Sequence, residues 1–242
     1  MSQRSKVIAI YSGVAVIVAI LLVIFNWLGA QRKAKSDAAH TEHLRQLQAG
    51  GIEVVAPLTP LDKQLTADLA GTNQDGDAVS LFDLKGKVFV FAQFYSRCSM
   101  CLGYNKQVIT ELQKALSGNP NVHFVTVTID PEFDTPEKLK ESAEVWGADS
   151  KNWWMLNVPK DTLTSYCREQ LWYIDFTENK KKTSAADALN HDMGIAVIDT
   201  NSKLRAKVNL FELLENDQVE LYEVKKSQII DVVNMALKEA GK

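Results

Sequence analysis

An apolar run that leads into a pair of cysteines is the feature that most limits how this chain can fold. Residues 88–94 read as a strand buried on both faces, and Cys98 and Cys101 follow at the start of a segment with helical spacing. The first turn of a helix carries unpaired N–H groups and partial positive charge, which stabilise a thiolate. Because a thiolate is both a nucleophile for disulfide exchange and a ligand for soft metal ions, the pair predicts one or both of these chemistries.

The order of the predicted elements gives the fold class. Apolar periodicity and turn residues predict strands at 88–94, 124–129, 154–158, 195–198 and 204–210, and helices at 102–116, 136–146, 161–173 and 226–240. A strand–helix–strand unit followed by a hairpin and a closing helix builds one mixed sheet with helices on both faces. With a cysteine pair after the first core strand, this order is typical of an α/β, thioredoxin-like fold.

The amino-terminal part of the chain predicts a membrane anchor. Residues 7–29 carry no charged side chain, and a helix rising about 1.5 Å per residue would span roughly 34 Å there, enough to cross a bilayer. A cleaved signal peptide is the alternative, but its apolar core would be shorter, roughly 7–15 residues. Asn26 and Trp27 instead close the run as an interfacial anchor does. Basic residues on both sides leave the orientation open.

The chain is therefore expected to divide into a short tail, one transmembrane helix, a tether and a thioredoxin-like domain, at residues 1–6, 7–29, 30–65 and 66–242. The net charge of −3 gives no reason to expect a nucleic-acid partner. Three cysteines are too few for a disulfide scaffold. A structural zinc site is disfavoured because no second Cys-x-x-Cys or His pair follows at the spacing of a zinc finger.

His191 is the candidate for a third functional group. It lies in a loop just before the strand predicted at 195–198, and in a thioredoxin layout this loop faces the cysteine pair. Thioredoxins have a cis-proline in this loop, where this chain has Met193 or Gly194. Two sulfurs and one imidazole suit copper in either oxidation state. The alternative is a loop histidine that is simply exposed to solvent.

Several stretches together resemble the SCO/SenC family of membrane-tethered copper proteins that act in cytochrome c oxidase assembly. The matching runs are Leu84-Lys85-Gly86-Lys87-Val88, Phe94-Tyr95-Ser96-Arg97-Cys98, Thr128-Ile129-Asp130-Pro131-Glu132-Phe133-Asp134-Thr135-Pro136, and His191 placed eight residues before Asp199. The resemblance covers residues 70 to 240, and the family's amino-terminal anchor also fits. One departure is clear: the family spaces its cysteines Cys-x-x-x-Cys, followed by proline, whereas Cys101 comes one residue early and precedes Leu102.

The resemblance implies that Cys98, Cys101 and His191 bind one copper ion, as Cu(I) or Cu(II). The chain would then be a thiol-active assembly factor for the copper site of cytochrome c oxidase, held in the membrane with its domain on the extracytoplasmic side. Its partners would be the membrane and an oxidase subunit or another copper or thiol protein. The shortened cysteine spacing also favours an alternative, a metal-free thiol–disulfide oxidoreductase in which Cys98 attacks and Cys101 resolves the mixed disulfide. A peroxidase-like domain is a third hypothesis.

The remaining polar candidates have less specific interpretations. Asp130 and Asp134 are predicted to shape a turn, although Asp134 could also support a metal-bound histidine. Cys167 lies on the apolar face of its helix and is predicted to be a buried structural thiol. His40 and His43 could hold a metal loosely, but a solvated helix face is favoured; Trp154 is interpreted as a packing side chain, and the sequence identifies no partner for His123.

Overall fold

The computed structural model of the protein describes residues 58, 60–180 and 188–242. Within these residues, none of the helices combines the length and the apolar character that crossing a bilayer requires. The predicted transmembrane helix at 7–29, the tail before it and most of the tether lie outside the described residues, as do His40 and His43. The anchor and the tether therefore stay predictions.

The described part of the chain contains both strands and helices. The strands are β1 (Lys63–Gln64), β2 (Ala70–Thr72), β3 (Ala78–Ser80), β4 (Val88–Phe94), β5 (Val122–Thr128), β6 (Trp153–Leu156), β7 (Thr177–Glu178), β8 (Leu189–Asn190), β9 (Ile195–Ile198) and β10 (Lys203–Val208). The helices are α1 (Lys106–Leu116), α2 (Pro136–Trp146), α3 (Lys160–Leu171), α4 (Phe211–Glu215) and α5 (Val219–Glu239). A 3₁₀ turn at Leu81–Leu84 and a π turn at Cys101–Asn105 lie between them.

One mixed sheet of six strands forms the centre of the fold, in the order β1-β10-β9-β4-β5-β6. All seven residues of β4 are buried, as the apolar sequence of this strand predicted. β4 runs parallel to β5, with Val88 opposite Val122, and antiparallel to β9, with Ala92 opposite Ile195. The mixed sheet is confirmed, and the carboxyl end of β4 lies beside the amino end of β9.

The helices pack on this sheet through apolar faces. α1 buries residues three and four positions apart, namely Val108, Ile109, Leu112 and Leu116. α1 contacts α5, and α5 in turn contacts β4, β9 and β10. Tyr222 of α5 donates a hydrogen bond of 2.6 Å to the Glu111 carboxylate of α1, which ties the two helices together. The start of α1, and with it the cysteine pair, is therefore held against a rigid core.

Two boundaries differ most from those that the sequence predicted, while several other elements begin or end one or two residues from the predicted position. β1 forms the edge of the sheet next to β10, and the Leu61 N–H donates to the Arg205 carbonyl at 2.9 Å, so the sheet already begins within the predicted tether. α5 begins at Val219, earlier than the predicted 226, and α4 was not predicted. Pairing with β10 fixes the two residues of β1, and the buried side chains of Phe211 and Tyr222 anchor α4 and the start of α5.

Candidate metal centre

The two cysteines lie where the chain leaves β4 and enters a helix. The Cys98 N–H donates to the Tyr95 carbonyl at 3.1 Å in the turn after the strand, and the helix begins at Ser99. The Cys101 N–H donates to Cys98 Sγ at 3.0 Å, which is the interaction expected of a helix N-terminus with a thiolate. Both side chains are nearly removed from solvent, with exposed fractions of 1% and 0%.

Asp134 supports the turn that precedes Cys98. Its carboxylate is fully buried and accepts hydrogen bonds from the Ser96 N–H at 3.0 Å, the Thr128 hydroxyl at 2.5 Å and the Ser96 hydroxyl. Beside it, Arg97 forms an ion pair with Asp130. These bonds assign Asp134 to holding the cysteine turn in place, rather than to supporting His191.

A π turn follows the second cysteine directly. The Lys106 N–H donates to the Cys101 carbonyl, five residues back, whereas an α-helix bonds four residues back. A π turn holds one residue more than an α-helical turn. It follows a Cys-x-x-Cys pair, whose spacing is one residue shorter than the Cys-x-x-x-Cys spacing of the family that the sequence resembles. Asn105 fixes the widened turn, because its buried side-chain amide donates to the Gln93 carbonyl of β4 at 3.0 Å.

His191 meets the cysteines from the other side of the site. It follows β8, and its Nε2 lies 3.3 Å from Cys101 Sγ. Its Nδ1 lies 3.0 Å from the Asp192 carbonyl oxygen, which can only accept a hydrogen bond. In the neutral ring the proton is therefore on Nδ1, and the lone pair of Nε2 points to the sulfur as that of a metal ligand would. The loop histidine is thus partly buried within the site.

Tyr95 places the His191 loop, a role that the sequence did not reveal. The buried Tyr95 hydroxyl donates to the Leu189 carbonyl at 3.0 Å and lies 3.2 Å from the Leu189 N–H, which donates to it. Its ring also packs edge-to-face against the His191 ring, with centroids 5.8 Å apart. Because Tyr95 is the residue directly after β4, the same segment that leads to Cys98 also positions the histidine.

An ion pair fixes the far side of the same loop. Asp192 accepts hydrogen bonds from the Gly194 N–H at 2.8 Å and from Lys207 Nζ at 2.6 Å, and both charged side chains are largely buried. A Cβ on Gly194 would lie 2.8 Å from an Asp192 carboxylate oxygen, so a larger residue here would have to displace this carboxylate. Lys207 belongs to β10, which means that the sheet itself holds the loop through Asp192.

The surroundings of Cys98 and Cys101 give their two thiols very different pKa values. The hydrogen bond from the Cys101 side chain, together with the Cys101 backbone N–H, lowers the pKa of Cys98 to about 5, although burial opposes the shift. Burial raises the pKa of Cys101 well above its usual value, and the Cys98 sulfur raises it further. At neutral pH, therefore, Cys98 is the thiolate and Cys101 is the thiol that donates to it.

The three predicted site residues come together as a possible ligand set. The ligand atoms of Cys98, Cys101 and His191 all lie within 4.8 Å of one another. Two atoms bound to one ion at about 2.0–2.3 Å can be at most roughly 4.6 Å apart, so small side-chain movements would let all three share an ion. Two sulfurs and one imidazole nitrogen are a soft donor set, which fits copper, and the set lacks the fourth ligand usual for structural zinc.

Two other candidates lie in the core and take no part in the site. Cys167 is buried, and this burial raises the pKa of its thiol to about 12, which confirms the predicted structural thiol. His123 is also buried and packs its ring against Trp154 with centroids 4.4 Å apart. Burial lowers the pKa of His123 to about 3, so its ring is neutral.

The comparison with known proteins agrees with the motifs. A family model described as SCO1/SenC matches residues 59–224. The chain belongs to the SCO1/SenC family. A SCO1 protein homolog from Bacillus subtilis (strain 168) is 28% identical over 151 residues, which cover 61% of this chain and 75% of that protein. The family that the sequence motifs of this SCO1/SenC protein indicated is therefore confirmed.

Solved structures with the same fold include two of the SCO type. A SCO1/SenC family lipoprotein from Bacillus anthracis str. Ames is 25% identical, with a TM-score of 0.56, and the match covers 69% of this chain and 99% of that chain. ScoI from Bradyrhizobium japonicum, solved with copper bound, is 20% identical, with a TM-score of 0.50, over 64% of this chain and 90% of that chain. They show that this SCO1/SenC protein has the fold of its family.

The division of the two thiols gives a titration that can be measured. Cys101→Ala removes the hydrogen bond that contributes most to the low pKa of Cys98, so we expect this pKa to rise from about 5 toward the ordinary value of about 8.5. Cys101→Ser keeps a hydroxyl donor and should raise it less. The ultraviolet absorbance of the thiolate, followed against pH in the metal-free protein, reports each value. In the wild type the signal should persist as the pH falls to about 5 and then disappear.

Cys167→Ser is the matched control for this titration. Because the pKa of Cys167 is raised to about 12, this variant should follow the wild-type curve at every pH below that value. If Cys101→Ala titrates like the wild type, Cys101 is not the group that stabilises the Cys98 thiolate.

Proposed function

We propose that Cys98, Cys101 and His191 bind one copper ion, and that the protein is a membrane-tethered assembly factor for the copper site of cytochrome c oxidase. The observation that supports this proposal is the convergence of two sulfurs and one imidazole nitrogen at the end of β4. Membership of the SCO1/SenC family and the copper-bound relative ScoI point in the same direction.

Cu(I) is the oxidation state that this donor set suits best. Two cysteine sulfurs are soft ligands, and Cys98 is already a thiolate at neutral pH. Cys101 carries its proton in the metal-free protein, so binding of the ion would release one proton from Cys101. The histidine nitrogen matters more for the harder Cu(II) ion, and His191 reaches the site with its free lone pair on Nε2.

Copper binding by single variants tests this proposal. We expect the reduced wild-type protein to bind one Cu(I), and we expect Cys98→Ser and Cys101→Ser each to lose tight binding, because one sulfur and one imidazole hold the ion poorly. His191→Ala should weaken Cu(I) slightly and Cu(II) more. Competition against a chromogenic Cu(I) chelator under anaerobic conditions gives the stoichiometry and the affinity.

Cys167→Ser is again the control, since this buried thiol lies outside the proposed ligand set and should leave copper binding unchanged. A wild-type protein that takes up no more Cu(I) than the Cys98→Ser/Cys101→Ser double variant would sink the copper proposal.

The second candidate is a thiol–disulfide oxidoreductase that works without metal. The low pKa of Cys98 and the Cys-x-x-Cys spacing favour it. The Cys98 thiolate would attack a partner disulfide and release one partner thiolate, and Cys101 would then lose its proton and displace the second. The partner gains two electrons, and a Cys98–Cys101 disulfide remains. Reduction of insulin by the metal-free protein, absent in Cys98→Ser, would support this function, particularly if the copper test fails.

The placement of His191 by Tyr95 predicts a selective loss of copper affinity. Tyr95→Phe keeps the ring but removes the two hydrogen bonds to Leu189, so we expect the affinity for Cu(II) to fall by about tenfold, the usual lower range for lost outer-shell contacts. The affinity for Cu(I) should change less, because the two sulfurs hold that ion. Tyr104→Phe, at an exposed tyrosine on the π turn, is the control. Equal losses for both oxidation states would speak against a role through His191.

The membrane location can be tested with an exposed reporter. We propose that residues 7–29 anchor the protein and that the domain lies on the extracytoplasmic side. Val145 is 62% exposed on α2, so Val145→Cys should react with a membrane-impermeant maleimide in intact spheroplasts that express the full chain. Ser2→Cys, before the predicted span, should react only after lysis. Labelling of Val145→Cys only after lysis would overturn this topology.

A further inference from the structure

A pocket of about 240 Å³ opens beside the cysteine pair and is the feature on which this inference rests. The start of the helix lines it on one side with Cys98, Ser99 and Met100, and the segment around β8 lines it on the other with His191 and Met193. Two of the five methionines of the chain thus share one pocket with two of the proposed copper ligands.

The pocket is the route by which an ion could reach the sulfurs. Cys98 and Cys101 are 1% and 0% exposed, so a metal ion cannot meet them directly from solvent. Met100, between the two cysteines in sequence, is 43% exposed, whereas Met193 is half-buried in the loop that carries His191. Met100 is therefore the more accessible sulfur-bearing side chain of the pocket, and Cys98 is the more enclosed one.

The chemistry of the lining selects a soft ion. Among the described residues, those that line the pocket include none with a carboxylate, an ammonium or a guanidinium group, and the oxygen ligands of its side chains are limited to the neutral groups of Tyr95, Ser99, Asn179 and Asn190. Hard cations prefer carboxylate, carbonyl and water oxygens, while thioethers suit Cu(I). A thioether is neutral and releases no proton when it binds, so it holds Cu(I) more weakly than a thiolate and can give the ion up.

We propose that Met100 and Met193 form an outer thioether site that receives Cu(I) and passes it to Cys98, Cys101 and His191. This inference rests on the proposed copper function. In the transfer the Cys98 thiolate and the Cys101 sulfur replace the thioethers, and Cys101 loses its proton to solvent. The ion remains Cu(I), and no electron moves. Release of the ion would follow the same path in reverse.

The first test observes the methionines in the absence of the thiols. Ag(I), a soft ion that mimics Cu(I) without redox chemistry, is titrated into the Cys98→Ser/Cys101→Ser variant carrying ¹³C-labelled methionine methyl groups. We expect the methyl signals of Met100 and Met193 to shift together. Met155, fully buried in β6, and Met235, 41% exposed on α5, are internal controls that should not move. Absence of a shift at Met100 and Met193, or an equal shift at Met235, overturns the inference.

The second test measures the rate of delivery. Stopped-flow uptake of Cu(I) from its bicinchoninate complex should be roughly tenfold slower in Met100→Leu/Met193→Leu than in the wild type, which corresponds to about 1.4 kcal/mol of activation free energy. Leucine keeps the apolar volume but has no sulfur. Met235→Leu is the matched control, and the equilibrium affinity is measured alongside. A double variant that takes up Cu(I) as fast as Met235→Leu overturns the inference.

These two tests also separate this inference from the proposed function. If the wild type binds Cu(I) while the methionines show neither a shift nor a rate effect, the outer site is wrong and the copper function stands. If the wild type binds no Cu(I), the copper function fails, and the Ag(I) titration still decides whether the methionines form a soft-ion site.

Discussion

The antiparallel pairing of β4 with β9 is the constraint on which the site depends. Cys98 and His191 are far apart in sequence, and they meet because Ala92 pairs with Ile195, which sets the end of one strand beside the start of the other. Hydrogen bonds closer to the site then fix the position of the His191 loop. Tyr95 reaches across from the end of β4 to Leu189, and Asp192 reaches back to Lys207 on β10. The histidine loop is thus fastened from two directions to one sheet.

Burial and hydrogen bonding act against each other at the cysteines. Removing both sulfurs from water disfavours a thiolate, and for Cys101 burial prevails. For Cys98 the donors at the start of the helix outweigh burial, because the Cys101 N–H and the Cys101 side chain both face its sulfur. One negative charge is therefore kept in an enclosed place by its neighbours. A positive ion bound at this position would therefore meet a Cys98 sulfur that is already negatively charged.

The sequence predicted the centre of the fold and the three site residues, but not what fixes them. β4 was predicted residue for residue because a strand buried on both faces is almost continuously apolar, here apart from Gln93, and the strand order then brought His191 to the cysteines. The roles of Tyr95 and Asp192 in positioning His191 were not predicted, because a tyrosine after a strand and an aspartate in a loop are common. Only the folded chain shows their hydrogen-bond partners. β1 was missed for a similar reason, since two residues paired at a sheet edge leave no periodic signal.

The π turn has a consequence for how such a site can vary between relatives. A helix that holds one surplus residue in its second turn can take up a change of length in its first turn without rotating the turns that follow. If one residue were inserted between the cysteines and the π turn tightened to an α-helical turn, the residues of α1 that face the core, such as Leu112, would keep their place. The number of residues between the two sulfurs could therefore change by one without a change in the core that supports them.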